Sequence, residues 1–303
     1  ASFWNVRLNL VTQDDTLFFN KDGMLYRSEY PYDTYEENYD LTEYHDDTLI
    51  QAGAGMVQHP DGEIFFGAYQ VAKHIILYKS TDNGLTWQEI YNAAGGYQHV
   101  HAMYIDTNQT PPAIYAGLDQ GGGILKSTDK GQSWIDLKAL YNPPQSTDFG
   151  VTYAGDGYRL LGGETSIVGG HSIIKTKDDE NFYPVLSDIA GVTRVERLGN
   201  TLFGGGAGTN GLRAGVIYVS KDEGETWEQA YSTGHLNDSS GANDGFRHLS
   251  KVGSKIIAVN QSSSRPPLHI YPDGNYAEII VDVPEGATSI TVESGHAYPN
   301  EAP

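Results

Sequence analysis

Three segments of this chain align without a gap: Leu77-Tyr-Lys-Ser-Thr-Asp-Asn-Gly-Leu-Thr-Trp87, Leu125-Lys-Ser-Thr-Asp-Lys-Gly-Gln-Ser-Trp134 and Tyr218-Val-Ser-Lys-Asp-Glu-Gly-Glu-Thr-Trp227. Each carries Ser-x-Asp-x-Gly-x-Ser/Thr-Trp, and three of the chain's four tryptophans close the pattern. The chemistry is that of a stabilised hairpin turn. Asp82, Asp129 and Asp222 are placed to accept from backbone N–H groups of their own turn, and Gly84, Gly131 and Gly224 to supply a positive φ. The Trp returns on the next strand, where its ring can wedge between neighbouring sheets.

Degenerate copies extend the series. Ile174-Lys-Thr-Lys-Asp-Asp-Glu-Asn-Phe182 keeps Thr176 and Asp178 but lacks the Gly, while Leu25-Tyr-Arg-Ser28 and Ile270-Tyr-Pro-Asp273 keep only the strand and its exit. From Ser28 through Ser80, Ser127, Thr176 and Ser220 to Tyr271 the steps are 52, 47, 49, 44 and 51 residues. A period of this length corresponds to one four-stranded blade of a β-propeller. The second repeat reads as an inner strand at 51–58, strands at 63–69 and 75–80, the turn, and an outer strand at 86–91. The other inner strands begin near His99, Phe149, Val192 and Phe246. Abundant Gly (36) and Tyr (21), with no long helical stripe, agree with many brief strands. The expected fold is all-β, a propeller of four-stranded antiparallel blades, with six blades expected and seven the alternative. A single domain over 1–303 is expected, with 284–303 a tail whose strand near 289–293 closes the ring against the first blade or opens a seventh.

On the three full repeats the chain resembles the Asp-box (BNR repeat) propellers, a superfamily that includes sialidases, other glycan-active enzymes and lectins. The resemblance covers roughly residues 20–280 and implies a sialidase-like fold. It implies no single activity, because function on a shared fold lives in grafted sites. A sialidase would need an Arg-Ile-Pro element near the N-terminus, an arginine triad, a Tyr/Glu nucleophile pair and an Asp acid. The N-terminal segment reads Phe3-Trp-Asn-Val-Arg-Leu8, and Arg194, Arg213 and Arg247 do not complete the set. The sialidase signature is missing.

Charge excludes other classes. With 39 acidic against 19 basic residues and a formal charge of −20, the chain repels phosphate backbones and anionic headgroups, so neither nucleic acid nor membrane insertion is expected. No run reaches the roughly 18 apolar residues of a membrane-spanning helix. Cysteine is absent, which removes disulfide and thiolate chemistry. A chain opening at Ala1 reads as processed or trimmed, and its composition associates with extracellular or surface-exposed proteins, on a cell or virion.

The repeated turns share one face with the first-to-second-strand turns, so the remaining loops form the other. Those loops are long and polar: 67–70, 117–123, 162–171, 204–210 and 260–265. Long connections in a compact fold usually carry function. They bring Tyr69, Asp119, Glu164, Asn210, Asn260 and Gln261, and the interblade loops add His99, His101, Asp148, Arg194, His235, Asp244 and Arg247. Aromatic, amide, carboxylate and guanidinium groups on one face suit a sugar. The ligand-binding candidates are Tyr69, His99, His101, Asp119, Asp148, Glu164, Arg194, Asn210, Arg247 and Asn260.

His99-Val-His101 is the sharpest local feature, since strand alternation points both imidazoles one way. The pair fits a metal, a general base, a sugar contact or structural histidines. The Gly-rich 204–208 loop lacks the Gly-Lys-Ser/Thr of a phosphate loop. The tract 26–47, with six tyrosines among many carboxylates, reads as a solvated blade edge, or as a calcium or partner surface. No cofactor is expected, with calcium the exception its oxygen ligands allow.

Two functions from different classes follow. The first is a glycan-recognition, adhesion or receptor-binding module, with a carbohydrate or glycoconjugate as partner and a place in a larger surface assembly. The second is a glycan-cleaving enzyme: a hydrolase using Asp119 and Glu164, or a lyase using His99 or His101 as base beside an Arg. A protein-docking propeller is a weaker third.

Overall fold

The computed structural model describes residues 7–21, 23–41, 49–50, 55–69, 74–94, 100–118, 123–141, 150–163, 172–187, 190–208, 215–232, 246, 248–252, 255–259, 268–270, 276–281 and 292–294. Among them the chain is almost entirely β-strand, with one helical turn at Leu137–Tyr141. Asp136 starts that turn by accepting from the backbone N–H groups of Lys138 and Ala139 at 2.9 and 3.1 Å.

The described strands form antiparallel sheets, four of them of four strands in sequence order and two with a fifth piece. The first holds Arg7–Val11, Thr16–Lys21, Met24–Glu29 and Glu36–Asp40. The third holds Val100–Asp106, Ala113–Leu118, Ile124–Ser127 and Ile135–Asp136, and the fourth Gly150–Gly155, Tyr158–Gly162, Ile173–Thr176 and Phe182–Leu186. The fifth holds Ala190–Leu198, Thr201–Gly208, Gly215–Ser220 and Glu228–Ser232. In the second sheet, Ile64–Tyr69, His74–Ser80 and Gln88–Ala94 follow a first strand in two pieces, Leu49–Ile50 and Met56–Gln58, both paired to Ile64–Tyr69. The sixth holds His248–Val252, Lys255–Val259, Leu268–Ile270 and Tyr276–Val281. There Val292–Ser294 adds a fifth strand against Tyr276–Val281.

Two compact units emerge: Ala1–Leu161 with Thr176–Tyr183, and Gly162–Lys175 with Pro184–Pro303. In the first, Phe18, Leu25, Ile64, Phe66, Ile76 and Tyr78 make a core from the first two sheets, and Phe65, Leu77, Val100, Met103, Ile114 and Leu125 make another from the second and third. In the second unit Phe203, Ile217, Phe246, Leu249 and Ile256 do the same. Each core is a facing pair of sheets, so burial is a contract between neighbours.

The repeated turns join third to fourth strands and are built as their composition dictates. In the second sheet Gly84 N donates to Ser80 Oγ at 2.8 Å, Thr86 N to Asp82 Oδ1 at 2.9 Å and Thr86 Oγ1 to Asp82 Oδ2 at 2.6 Å. Ser127, Asp129, Gly131 and Ser133, and Ser220, Asp222, Gly224 and Thr226, repeat the arrangement. Gly84 lies at φ 77°, Gly131 at 80° and Gly224 at 79°, and the residue before each is also left-handed. The tryptophans wedge as expected. Trp87 meets Phe66 edge-on at 4.8 Å and Phe18 at 6.0 Å, and its Nε1 donates to Asn38 of the first sheet at 2.7 Å.

Candidate functional site

The end of the sheets that carries the repeated turns is chemically self-contained. Thr86 holds Asp82 through its hydroxyl and its backbone N–H, lowering the carboxyl to about 2. Ser133 does the same to Asp129, also about 2. A basic residue just before four of these turns then reaches the next sheet. Arg27 Nε donates to Asn83 O at 3.3 Å, Lys79 Nζ to Lys130 O at 3.4 Å, Lys126 Nζ to Asp179 Oδ2 at 2.6 Å and Lys175 Nζ to Glu223 O at 2.7 Å. This latch recurs at four junctions and was readable as the Arg or Lys preceding Ser28, Ser80, Ser127 and Thr176.

The turn at 176–182 goes further. It lacks the Gly, and Asp179, at the place Asn83 holds in the second sheet, keeps the left-handed φ of 64° and is buried. Its carboxylate accepts from Arg159 Nε, from Lys126 Nζ and from Tyr115 Oη at 2.8 Å. Arg159 also donates to Asp106 at 3.4 Å, and Gln109 bridges Asp106 and Tyr115 at 2.8 and 2.7 Å. Two carboxylates meet two cations here, so the buried group is neutral. Burial, then the Asp179 charge, pushes the Tyr115 phenol above its usual range. Such a satisfied network holds sheets together.

His59, Asp61 and Glu63 converge on the first-to-second-strand turn of the second sheet, the one group of three metal-ligand types among the described residues. The residues do not fit a cation. Lys130 Nζ already sits on Asp61 and within 3.6 Å of Glu63, and Lys79 lies 2.9 Å from Glu63. Ammonium groups occupy the position calcium would take.

Of the residues expected to bind ligand, Tyr69, His101 and Arg194 are described. His101 is buried at a bulge, where Val100 pairs with Leu118 but Ala102 pairs with Gly117. Strict alternation is interrupted at His101, while its expected companion His99 lies outside the described residues. Equivalent bulges fall at Asn9 and Thr193, so a buried polar residue at this level of the first strand recurs. Arg194 lies opposite Gly205, with its guanidinium 3.2 Å from Glu196 Oε1, so part of its charge is spent within its own strand. Tyr69 ends its strand opposite Leu49. His99, Asp119, Asp148, Glu164, Asn210, Arg247 and Asn260, with Gln261, Arg213, His235 and Asp244, lie outside the described residues.

The described glycines Gly67, Gly150 and Gly205 have a packing duty rather than a ligand duty. A Cβ on Gly67 would overlap the Val100 side chain, one on Gly150 would lie 2.6 Å from Gly117 Cα, and one on Gly205 would overlap Phe246 O. Each is a place where one sheet's second strand meets the next sheet's first, and several residues expected in loops (67–69, 117–118, 204–208) are still strand.

No family model matches this sequence, and no curated protein matches it. Solved structures do match. The GH74 enzyme of Niastella koreensis superposes with a TM-score of 0.63 at 16% identity over 95% of this chain and 44% of its own. The extracellular domain of the putative one-component system BT4673 from B. thetaiotaomicron gives 0.64 at 10% over 92% and 33%. An α-L-arabinofuranosidase of Fusarium graminearum, in complex with an iminosugar inhibitor, gives 0.50 at 15% over 80% and 83%. The chain thus spans less than half of the first two. At these identities the likeness carries the fold alone: an all-β protein of the β-propeller class, built from four-stranded antiparallel blades.

Proposed function

We propose that this chain is a carbohydrate-recognition module on an Asp-box β-propeller, one domain of six blades, acting outside the cell or on a surface and binding glycan at the end opposite the repeated turns. The observation that carries this is the division of labour between the two ends. Within the three full repeats of the turn end the carboxylates and hydroxyls are committed to one another. The connections expected at the other end are long in the sequence and rich in Gly, Asn, Ser and Tyr, and Tyr69, Asn210 and Asn260 offer the stacking and amide chemistry a sugar needs. Two of the similar structures carry glycan-cleaving names, which supports a glycan ligand and keeps a second reading in play. In that reading Asp119 and Glu164, or His99 and His101 beside Arg247, perform hydrolysis or elimination.

The test is to incubate the chain with neutral and acidic polysaccharides and record both retained glycan and fragment masses. Saturable retention of intact glycan, weakened by Tyr69→Ala or Asn260→Ala, is expected. Fragments lost on Asp119→Asn or Glu164→Gln establish the enzyme, unsaturated ends mark a lyase, and neither retention nor fragments overturns both.

A further inference from the structure

The first sheet departs from the repeat at the turn where the others place the Asp. Its third-to-fourth-strand turn, Glu29-Tyr-Pro-Tyr-Asp-Thr-Tyr35, exposes Tyr30 (74%), Tyr35 (69%) and Tyr32 (39%). Three of the eight exposed large hydrophobic side chains among the described residues fall in these seven positions, a density that solvation alone does not favour.

The turn is also held in shape. Tyr32 N donates to Glu29 O at 2.8 Å, Ser28 Oγ to Thr34 O, and the buried Arg27 guanidinium to Glu29 at 2.7 Å and Glu36 at 3.1 Å. Tyr30 and Tyr32 pack edge to face at 5.7 Å, and Tyr35 stands edge-on to both Tyr26 and Phe19 at 5.5 and 5.7 Å. The rings are therefore presented in fixed positions, at little ordering cost on binding. Around them residues 28–40 carry five carboxylates and no Lys or Arg. Arg27 answers Glu29 and Glu36, while Asp33 and Glu37 add exposed negative charge.

We propose that this turn is a docking knob for a lysine- or arginine-bearing segment of a protein partner. Cationic heads would lie over the Tyr30 and Tyr35 faces, with Asp33 and Glu37 pairing with neighbouring cations. Charge complementarity selects this occupant: an aromatic patch inside an acidic rim favours a cation over an anionic or neutral partner. The knob is on the turn end and stands independently of the glycan reading.

The probe is a fluorescein-labelled peptide of alternating lysine and glycine, followed by anisotropy at low and at physiological salt, with a glutamine–glycine peptide as control. Tyr30→Ser with Tyr35→Ser leaves every charge in place and is expected to weaken binding about fivefold or more, as two lost cation–π contacts imply. Asp33→Asn with Glu37→Gln keeps the rings and is expected to weaken binding and flatten its salt dependence. All four side chains are exposed, so both variants should unfold at the wild-type temperature, and either variant alone suffices for the test. Unchanged affinity in the tyrosine variant would mean that the −20 charge alone gathers the peptide, and would overturn the proposal. So would binding of a labelled neutral oligosaccharide that the tyrosine variant loses, which would assign the rings to sugar.

Discussion

The turns at 80–87 and 176–182 occupy the same place in their sheets and solve it differently. The first closes its own cap: Ser80, Asp82, Gly84 and Thr86 satisfy one another, and its contacts with neighbours, Asn83 and Gly84 with Arg27, Thr16 and Asn38 and Lys79 with the carbonyl of Lys130, leave the caps of Asp82 untouched. The second is one residue shorter and lacks the Gly. Asp178 still caps it, accepting from the backbone of Glu180 and Asn181, with the Asn181 amide standing in for the Thr86 hydroxyl. The left-handed position falls to Asp179, whose buried carboxylate requires Arg159, Lys126 and Tyr115. A local motif can thus lose its glycine when a long-range ionic network takes over, and its stability then depends on distant residues.

The largest effect should come from that network. Arg159→Ala leaves Asp179 and Asp106 buried with one cation fewer, and should cost about 3–5 kcal/mol in urea unfolding. A loss below about 1 kcal/mol would erase the contrast between the turns. Next is Gly84→Ala, where a Cβ must accept φ 77° and overlap the rigid Phe18 ring, for about 2–4 kcal/mol. Gly131→Ala meets the flexible end of Ile90 instead and should cost less, so equal losses would show that the dihedral alone decides. Asp82→Ala, which removes three accepted hydrogen bonds at the surface, should cost about 1–2 kcal/mol.

The same carboxylates set an acid dependence. With Asp82 and Asp129 at about 2 in the folded chain against 3.8 ordinarily, their contribution is complete above pH 3.8 and is lost as pH falls toward 2. Unfolding midpoints measured across that window should fall less steeply in Asp82→Asn. Smallest of all, Arg194→Ala removes a half-exposed pair with Glu196 and should move stability by less than about 1 kcal/mol.

Much of this architecture was legible because it is local and repeated. The Ser-x-Asp-x-Gly-x-Ser/Thr-Trp pattern contains nearly all its own hydrogen-bond partners, so its geometry followed from composition, and the strands at 64–69 and 74–80 fell within a residue of their expected places. What escaped was relational. The charge on Asp179 has meaning only beside Arg159, twenty residues away, and the bulge at His101 is a property of its pairing with Leu118 and Gly117. Glycines at 67, 117 and 205 looked like loop freedom because the next sheet that crowds them is distant in sequence. The proposed ligand site draws on connections from different sheets, and no single segment of the sequence records how they meet.

The most direct test of the division of labour is hydrogen exchange of the whole chain with and without the oligosaccharide it retains. Protection confined to the connections at 119–122, 164–171, 209–214 and 260–267, with the turns at 80–87, 127–134 and 220–227 unchanged, is the predicted result. Protection at those turns, with the connections unaffected, would contradict it and move the ligand to the other end.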